Sequence, residues 1–111
     1  MNFEIISTPE FEKELKRLNK KYVSIKMDYV NFLLDLKENP IQGESLGKDC
    51  YKVRMSIESK NKGKSGGARV ITCVKIIDEV VYLLAIYDKS ELSTLKDKEI
   101  AKRVKGLDEL K

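Results

Sequence analysis

The chain has 111 residues, with 22 Lys and Arg against 18 Asp and Glu, 41% apolar residues and no histidine. This length suits one domain, residues 1–111, that buries a core without disulfide or metal staples. The absence of histidine excludes Ser-His-Asp and Cys-His catalysis and most zinc sites, because imidazole is their usual base or ligand.

The cysteines and the apolar runs indicate where the protein works. Cys50 and Cys73 form no C-x-x-C pair, and Cys73 lies mid-strand, where a buried, inert thiol is expected. Thiols this sparse, without an apolar leader, favour a reducing compartment, so we expect a cytoplasmic protein. The longest apolar run, residues 80–87, is far short of the ~20 residues of a membrane-spanning helix. We therefore expect no membrane partner.

The N-terminal third predicts a short strand followed by two helices. Residues 3–6 are apolar enough for an edge strand, and Thr8 followed by Pro9 is typical of a helix start. The second helix should end before Pro40, because a residue that precedes proline avoids the α conformation. Apolar residues recur at helical spacing in both segments: Phe11, Leu15, Leu18, Tyr22 and then Ile25, Tyr29, Phe32, Leu33, Leu36. The two helices are expected to form a hairpin.

The rest of the chain predicts a sheet and a last helix. Residues 41–49 show no period and are expected to form a loop, whereas residues 51–57 alternate between apolar and polar types, as in a half-buried strand. Residues 68–77 and 80–87 predict two more strands joined by a turn. A C-terminal helix should begin after Ser93 or Thr94 and stop near Gly106. The expected fold is α+β, with the helical hairpin packed on a small twisted antiparallel sheet.

The positive charge is concentrated in one segment. Residues 48–69 contain seven Lys and Arg against two acidic residues, so the rest of the chain is slightly negative. Clustered cations favour a polyanionic partner, either a nucleic acid or an acidic protein segment. A solvated, lysine-rich loop is the alternative, and charge alone does not indicate catalysis.

Within that segment, Gly63-Lys64-Ser65 looks like part of a phosphate-binding P-loop. That motif needs a glycine where Glu58 stands, and it joins a strand to a helix rather than two strands. We therefore reject nucleoside triphosphate binding. The segment instead predicts a glycine-rich hairpin that gathers its lysines near Arg54 and Arg69, where phosphates could bind. Whether the two arginines meet depends on the strand register.

Three blocks of this sequence resemble the RelE/ParE superfamily of bacterial toxins, and specifically its RelE and HigB branch. They are residues 51–54 (YKVR), 62–71 (KGKSGGARVI) and 81–90 (VYLLAIYDKS), which match in order and spacing. The second block is the most specific, and the resemblance covers residues 3–100. It implies a RelE-like fold, with a C-terminal helix, in a single toxin domain.

The resemblance also implies a function and its partners. Such proteins are toxins of type II toxin-antitoxin systems that cleave mRNA in the ribosomal A site and are neutralised by a cognate antitoxin. The implied endoribonuclease chemistry is attack by a ribose 2′-hydroxyl on the adjacent phosphate, which gives a 2′,3′-cyclic phosphate and a 5′-hydroxyl. It needs no metal and no cofactor. The expected partners are mRNA, the ribosome and an acidic, amphipathic antitoxin segment that covers the cationic site or displaces the last helix.

Site residues follow from the same resemblance, position by position. Lys62 and Lys64 match lysines that activate the 2′-hydroxyl or hold the phosphate, and Arg69 matches the arginine of the transition state. Lys89 matches a basic residue near the scissile phosphate, and Arg54 a supporting cation. With Arg54, the nearby Lys52 and Lys60 are expected to bind RNA. A free lysine titrates near ~10.4, so a lysine base would need neighbouring cations to lower its pKa by ~2–3 units.

The sequence departs from one branch of the superfamily because it has no C-terminal tyrosine after Lys89. The nearby tyrosines, Tyr82 and Tyr87, lie inside a predicted strand, and Tyr87 is expected in the core. The general acid is therefore left open. Two other functions also remain open: a gyrase inhibitor like ParE, which has the same fold, and an RNA-binding module without catalysis.

Overall fold

The computed structural model describes residues 3–61 and 63–110, with side chains through residue 108. It contains five strands and three α-helices, with short 3-10 helices at Glu58–Lys60, Lys64–Gly66 and Gly106–Leu110. The elements in chain order are β1 (Glu4–Ser7), α1 (Pro9–Lys21), α2 (Ile25–Glu38), β2 (Glu44–Gly47), β3 (Cys50–Met55), β4 (Ala68–Lys75), β5 (Val80–Asp88) and α3 (Asp97–Lys105). The predicted α+β class is confirmed.

The five strands form one sheet in the order β1-β5-β4-β3-β2. The strands β3, β4 and β5 pair antiparallel, as predicted, and β2 pairs antiparallel with β3. β1 is different, because it lies parallel to β5, with Ile5 beside Val81. The sheet is therefore mixed rather than wholly antiparallel. Two helices and three strands separate β1 from β5 along the chain, so no short hairpin connection constrains these two strands to pair antiparallel.

The helical hairpin covers one face of the sheet. Thr8 caps α1 by accepting a hydrogen bond from the Phe11 N–H at 3.3 Å, and Pro9 occupies the first turn, so the predicted helix start is confirmed. The apolar stripes of α1 and α2 face the sheet and bury Phe11, Leu18, Ile25, Phe32 and Leu36. The longest helix, α2, has 14 residues, and none of the helices described here is long and apolar enough to cross a membrane.

The segment 41–49 is not wholly a loop, which corrects the sequence prediction. It contains β2, which pairs with β3 at the edge of the sheet. The two strands are joined at Lys48 and Asp49, which both have positive φ angles, of 52° and 66°. That is the backbone of a tight hairpin turn, which usually carries Asn or Gly at these positions. Neither is present, and β2 has only one large apolar residue, Leu46, so the sequence shows no strand period.

The opposite face of the sheet is covered by α3. Ile100 and Leu107 are buried against Cys50, Cys73 and Tyr82 in a second apolar cluster. The predicted last helix is therefore present and ends at Gly106, as expected, but Lys96, rather than Ser93 or Thr94, is its N-cap residue. The sheet thus lies between the helical hairpin and α3.

An ion pair closes the edge of β5 where β1 ends. β1 pairs with β5 only as far as Leu83. Beyond that point, the Ile86 N–H donates to Glu14 of α1 at 3.3 Å, and Arg103 of α3 donates to the Leu84 carbonyl at 2.8 Å. Arg103 and Glu14 also form an ion pair at 2.9 Å. The pair links the two helical layers across the strand edge.

Candidate functional site

Five of the cationic residues singled out in the sequence line one groove of about 470 Å³ on the α3 side of the sheet. We call it the cationic groove. Its cations are Lys52, Arg54, Lys64, Arg69 and Lys89, and its other lining residues are Gln42, Gly43, Glu44, Val53 and Ser93. Among the described residues, Glu44 is the only acidic one in the lining. The groove therefore concentrates positive charge over a small surface, as an anion-binding site requires.

The two arginines of the groove meet because of the strand register. Arg54 on β3 and Arg69 on β4 occupy directly opposed positions, so their side chains leave the same face of the sheet. Residues opposed in an antiparallel pair have Cβ atoms about 5 Å apart. Arg54 is exposed, whereas Arg69 is buried, with only 6% of its surface accessible. Burial and the charge of Arg54 lower the pKa of Arg69.

Arg69 shapes the loop that precedes it. Its Nη1 donates to the carbonyls of Lys64 and Ala68, at 3.3 and 3.1 Å, and its Nη2 donates to the Ser65 carbonyl at 3.1 Å. These bonds fold the Lys64–Gly66 turn over the guanidinium. Arg69 thus lies on the predicted face, but it does not project freely from it. It positions Lys64 at the rim of the groove.

Lys89 is held near the same loop by the backbone. Its N–H donates to the Gly67 carbonyl at 3.1 Å, which ties the end of β5 to the start of β4. Gly67 lies so close to β3 that a Cβ there would be 2.3 Å from the Met55 carbonyl oxygen. Only glycine fits this approach. These two contacts hold the three segments that carry Arg54, Lys64 and Lys89 close together in the folded protein.

The groove cations differ in how far other groups already neutralise them. Lys52 lies 3.7 Å from Glu44, in a half-exposed pair at the groove entrance. Arg54, Lys64 and Lys89 are exposed and form no ion pair within the part of the chain that the structure describes. Unpaired cations on several sides of one groove can bind a phosphate and stabilise added negative charge on it.

Lys60, which the sequence grouped with the RNA-binding residues, does not line the groove. Its Nζ lies 2.7 Å from Asp88, and only 9% of its side chain is exposed. It also lies 5.6 Å from the centroid of the Tyr22 ring. Its charge therefore stabilises the fold. Lys62 falls at the one position between 3 and 110 that the structure does not describe.

Asp88 is the buried acid that sequence reasoning missed. Its carboxylate accepts hydrogen bonds from Lys60, from the Tyr22 hydroxyl and from the Ser90 N–H and hydroxyl. Burial opposes ionisation of Asp88, but these hydrogen bonds outweigh it and hold its pKa below the ordinary aspartate value. An acidic residue closing a long apolar strand was the only signal in the sequence.

Tyr87 lies beside the groove, on the strand next to Arg69. It is buried in the second apolar cluster, as expected. Its hydroxyl has no hydrogen-bond partner among the described residues. Those residues also include no cluster of three or more acidic or cysteine side chains able to hold a metal ion.

Comparisons with known proteins support a fold assignment. No family model matches the chain, and no curated protein matches it in sequence. Among solved structures, the isolated E. coli RelE toxin superimposes with a TM-score of 0.59 at 18% identity, covering 95% of this chain and 98% of that one. A chain of the intact E. coli RelBE toxin-antitoxin complex gives a TM-score of 0.59 at 18% identity, over 78% of this chain and 95% of that chain.

An archaeal relative gives the same result. The RelE-RelB complex from Pyrococcus horikoshii matches with a TM-score of 0.53 at 22% identity, over 80% of this chain and 97% of that chain. The resemblance drawn from three sequence blocks is thus confirmed at the level of the fold. The chain has the fold of the RelE toxins.

Proposed function

We propose that this protein is the toxin of a type II toxin-antitoxin system and a metal-independent endoribonuclease that cuts mRNA in the ribosomal A site. The observation that carries the proposal is the convergence of Arg54, Lys64, Arg69 and Lys89 on one groove. The RelE fold supports it, and so does the excess of cations in the segment that forms the groove wall. The proposed place of action is the cytoplasm, where ribosomes translate.

In the proposed reaction, a ribose 2′-hydroxyl attacks the adjacent phosphorus and the bond to the 5′-oxygen breaks. The hydroxyl proton passes to a base, and the leaving oxygen takes a proton from an acid. The products are a 2′,3′-cyclic phosphate and a 5′-hydroxyl. Negative charge on the phosphorus oxygens grows in the transition state, so fixed cations accelerate the step.

The proposed roles of the individual cations are based on their exposure and their positions in the groove. Arg54 is exposed and faces the buried Arg69, so it contacts the phosphate while Arg69 adds charge from below and holds Lys64 in place. Lys64 and Lys89 approach from different segments, and one can hold the phosphate near the 2′-hydroxyl while the other lies near the leaving oxygen. Lys52, beside Glu44, contacts a neighbouring phosphate.

An acidic antitoxin segment is the proposed protein partner. The groove offers such a segment several unpaired cations, and charge complementarity speeds association and fixes orientation. Occupying the groove would exclude mRNA and so neutralise the toxin. The alternative route is displacement of α3 together with the 3-10 helix that follows it, which bury Ile100 and Leu107 against the sheet.

The decisive experiment is reverse-transcription mapping of a short mRNA incubated with purified protein, with and without programmed ribosomes. Arg54→Ala, Lys64→Ala and Lys89→Ala are the test variants. Lys37→Ala is the matched control, because Lys37 is exposed on α2 and does not line the groove. We expect cuts within codons only when ribosomes are present. They should fall at least tenfold in each groove variant and persist in the control.

The other outcomes separate the alternatives. Cuts on free RNA would support the endoribonuclease activity but show that it does not require the ribosome. Salt-sensitive RNA binding without product would indicate a non-catalytic RNA-binding module. No cuts, together with cleaved supercoiled DNA trapped on gyrase, would replace the nuclease by a gyrase inhibitor. Cleavage unchanged in all three groove variants would contradict the groove as the active site.

A further inference from the structure

The two cysteines of the chain lie side by side on neighbouring strands of the sheet. Cys50 on β3 is the register partner of Cys73 on β4, and both thiols are free and buried. They lie on the α3 side of the sheet, at the opposite end of the strand pair from Arg54 and Arg69. Neither cysteine lines the cationic groove, so the proposed reaction leaves both thiols without a role.

The hydrogen-bond pattern defines the geometry of this pair. The Val74 N–H donates to the Asp49 carbonyl at 2.9 Å, so residues 49 and 74 form a hydrogen-bonded pair. The next pair along an antiparallel ladder is then non-hydrogen-bonded, and its Cα atoms approach to about 4.5 Å. Disulfides span Cα separations of about 4.4–6.8 Å. Cys50 and Cys73 can therefore be bridged without separating the strands.

One of the two sulfurs borders an opening. Cys50 lines a groove of about 730 Å³ between the β2-β3 turn and α3, with Leu46, Ile100 and Val104. Cys73 is fully buried behind it. Hydrogen bonding between the two thiols lowers the pKa of Cys73 and raises that of Cys50. A reagent that enters this groove would therefore meet Cys50 first, and Cys73 lies directly behind it.

We propose that Cys50 and Cys73 form a redox-active dithiol that closes to a cross-strand disulfide on reaction with a low-molecular-weight disulfide. Cys50 first attacks one sulfur of that reagent, forms a mixed disulfide and releases one small thiol. Cys73 then attacks the Cys50 sulfur and expels the second small thiol. Two protein thiols are oxidised by two electrons, the reagent is reduced to two thiols, and these take up the two protons.

The bond would connect the two strands that carry Arg54 and Arg69 and close a loop that contains the Lys64–Gly66 turn. Cross-linking constrains the unfolded chain, so the oxidised protein should resist unfolding. In a reducing compartment such a bond forms only when the thiol pool becomes oxidised. The proposal is independent of the nuclease function, because it depends only on the strand pair.

The test is intact-mass spectrometry of the native full chain after incubation with oxidised glutathione, followed by peptide mapping. The expected product has lost two hydrogens, carries no glutathione, links Cys50 to Cys73 and reverts with dithiothreitol. Cys73→Ser should stop at one glutathione on Cys50, whereas Cys50→Ser should stay unmodified, because Cys73 is fully buried. Circular dichroism tests whether each variant is folded.

Several results would overturn the proposal. They are a native wild-type chain that stays reduced, one that retains glutathione without closing the bond, and one that forms dimers instead. Formation of the disulfide only after denaturation would do the same. The wild-type chain alone decides the outcome, so the test stands even if a serine variant does not fold.

Discussion

Arg54 and Arg69 place two positive charges on opposed positions of neighbouring strands. Like charges directly across an antiparallel pair destabilise a sheet. The repulsion is therefore a cost to folding that a phosphate in the cationic groove would relieve. The exposed member, Arg54, can be removed without disturbing the loop that Arg69 holds.

Arg54→Gln should consequently separate stability from binding. We expect the free energy of unfolding to stay level or rise by about 0.5 kcal/mol, because the repulsion is gone. RNA affinity should fall, and the plot of log affinity against log salt should become less steep by about 0.7, as for one lost phosphate contact. Urea unfolding and salt-dependent RNA titration measure the two effects. A large loss of stability would show that Arg54 supports the fold.

Arg69→Lys tests whether charge alone is sufficient at this position. Lysine cannot reach three loop carbonyls in the way that the two terminal nitrogens of Arg69 do. We expect a loss of about 1–2 kcal/mol in stability and at least a tenfold loss of cleavage, although the formal charge is unchanged. Thermal unfolding and mRNA mapping measure these changes. Cleavage at the wild-type rate would show that a point charge is enough and that the loop contacts are dispensable.

Asp88 should make stability depend on acid pH. Its pKa is lowered in the folded protein, so its contribution is complete above the unfolded aspartate pKa of about 3.9 and is lost as pH falls through the folded value. Asp88→Asn leaves the Lys60 charge buried without a partner and should cost about 3–5 kcal/mol at neutral pH. Urea unfolding at a series of pH values should show this gap shrinking below about pH 4. A gap that stays constant down to about pH 2 would contradict the assignment.

Gly67 should tolerate no side chain. In Gly67→Ala the new Cβ would lie 2.3 Å from the Met55 carbonyl oxygen, so β3 or the loop must move. We expect a loss of about 1–3 kcal/mol and reduced cleavage, since Lys89 is tied to Gly67. Gly106→Ala is the matched control. Its site is open and its φ angle of −68° is helical, so that variant should be neutral or up to about 1 kcal/mol more stable. Equal losses in both would contradict the close-approach argument.

The sequence predicted those elements whose signals are local. Thr8 and Pro9 define the start of α1, and Pro40 defines the end of α2, because capping and proline sterics act within a few residues. The parallel pairing of β1 with β5 joins segments that are far apart in the chain, and no local pattern encodes it. The strand β2 was missed because its two-residue turn is Lys48-Asp49 rather than the Asn-Gly or Asp-Gly pair that usually marks a hairpin.

The same distinction applies to the candidate site. The chain order brought Arg54, Lys64, Arg69 and Lys89 into consideration, and the register then placed them in one groove. Lys60 belonged to the same charged segment, but its side chain turns to Asp88, 28 residues away. The packing of the loop against Tyr22 and β5 determines that Lys60 pairs with Asp88 and does not line the cationic groove. A charge count along the sequence cannot make that distinction.

The contacts that cover the edge of β5 also bear on aggregation of this protein. Within the described residues, β5 runs nine residues, and an open edge on so apolar a strand would template the growth of intermolecular cross-β assemblies. The Ile86 N–H and the Leu84 carbonyl are already engaged by Glu14 and Arg103. The outermost strands, β1 and β2, have only four residues each. By occupying these backbone groups, Glu14 and Arg103 keep the part of β5 beyond β1 from pairing with a strand of another copy.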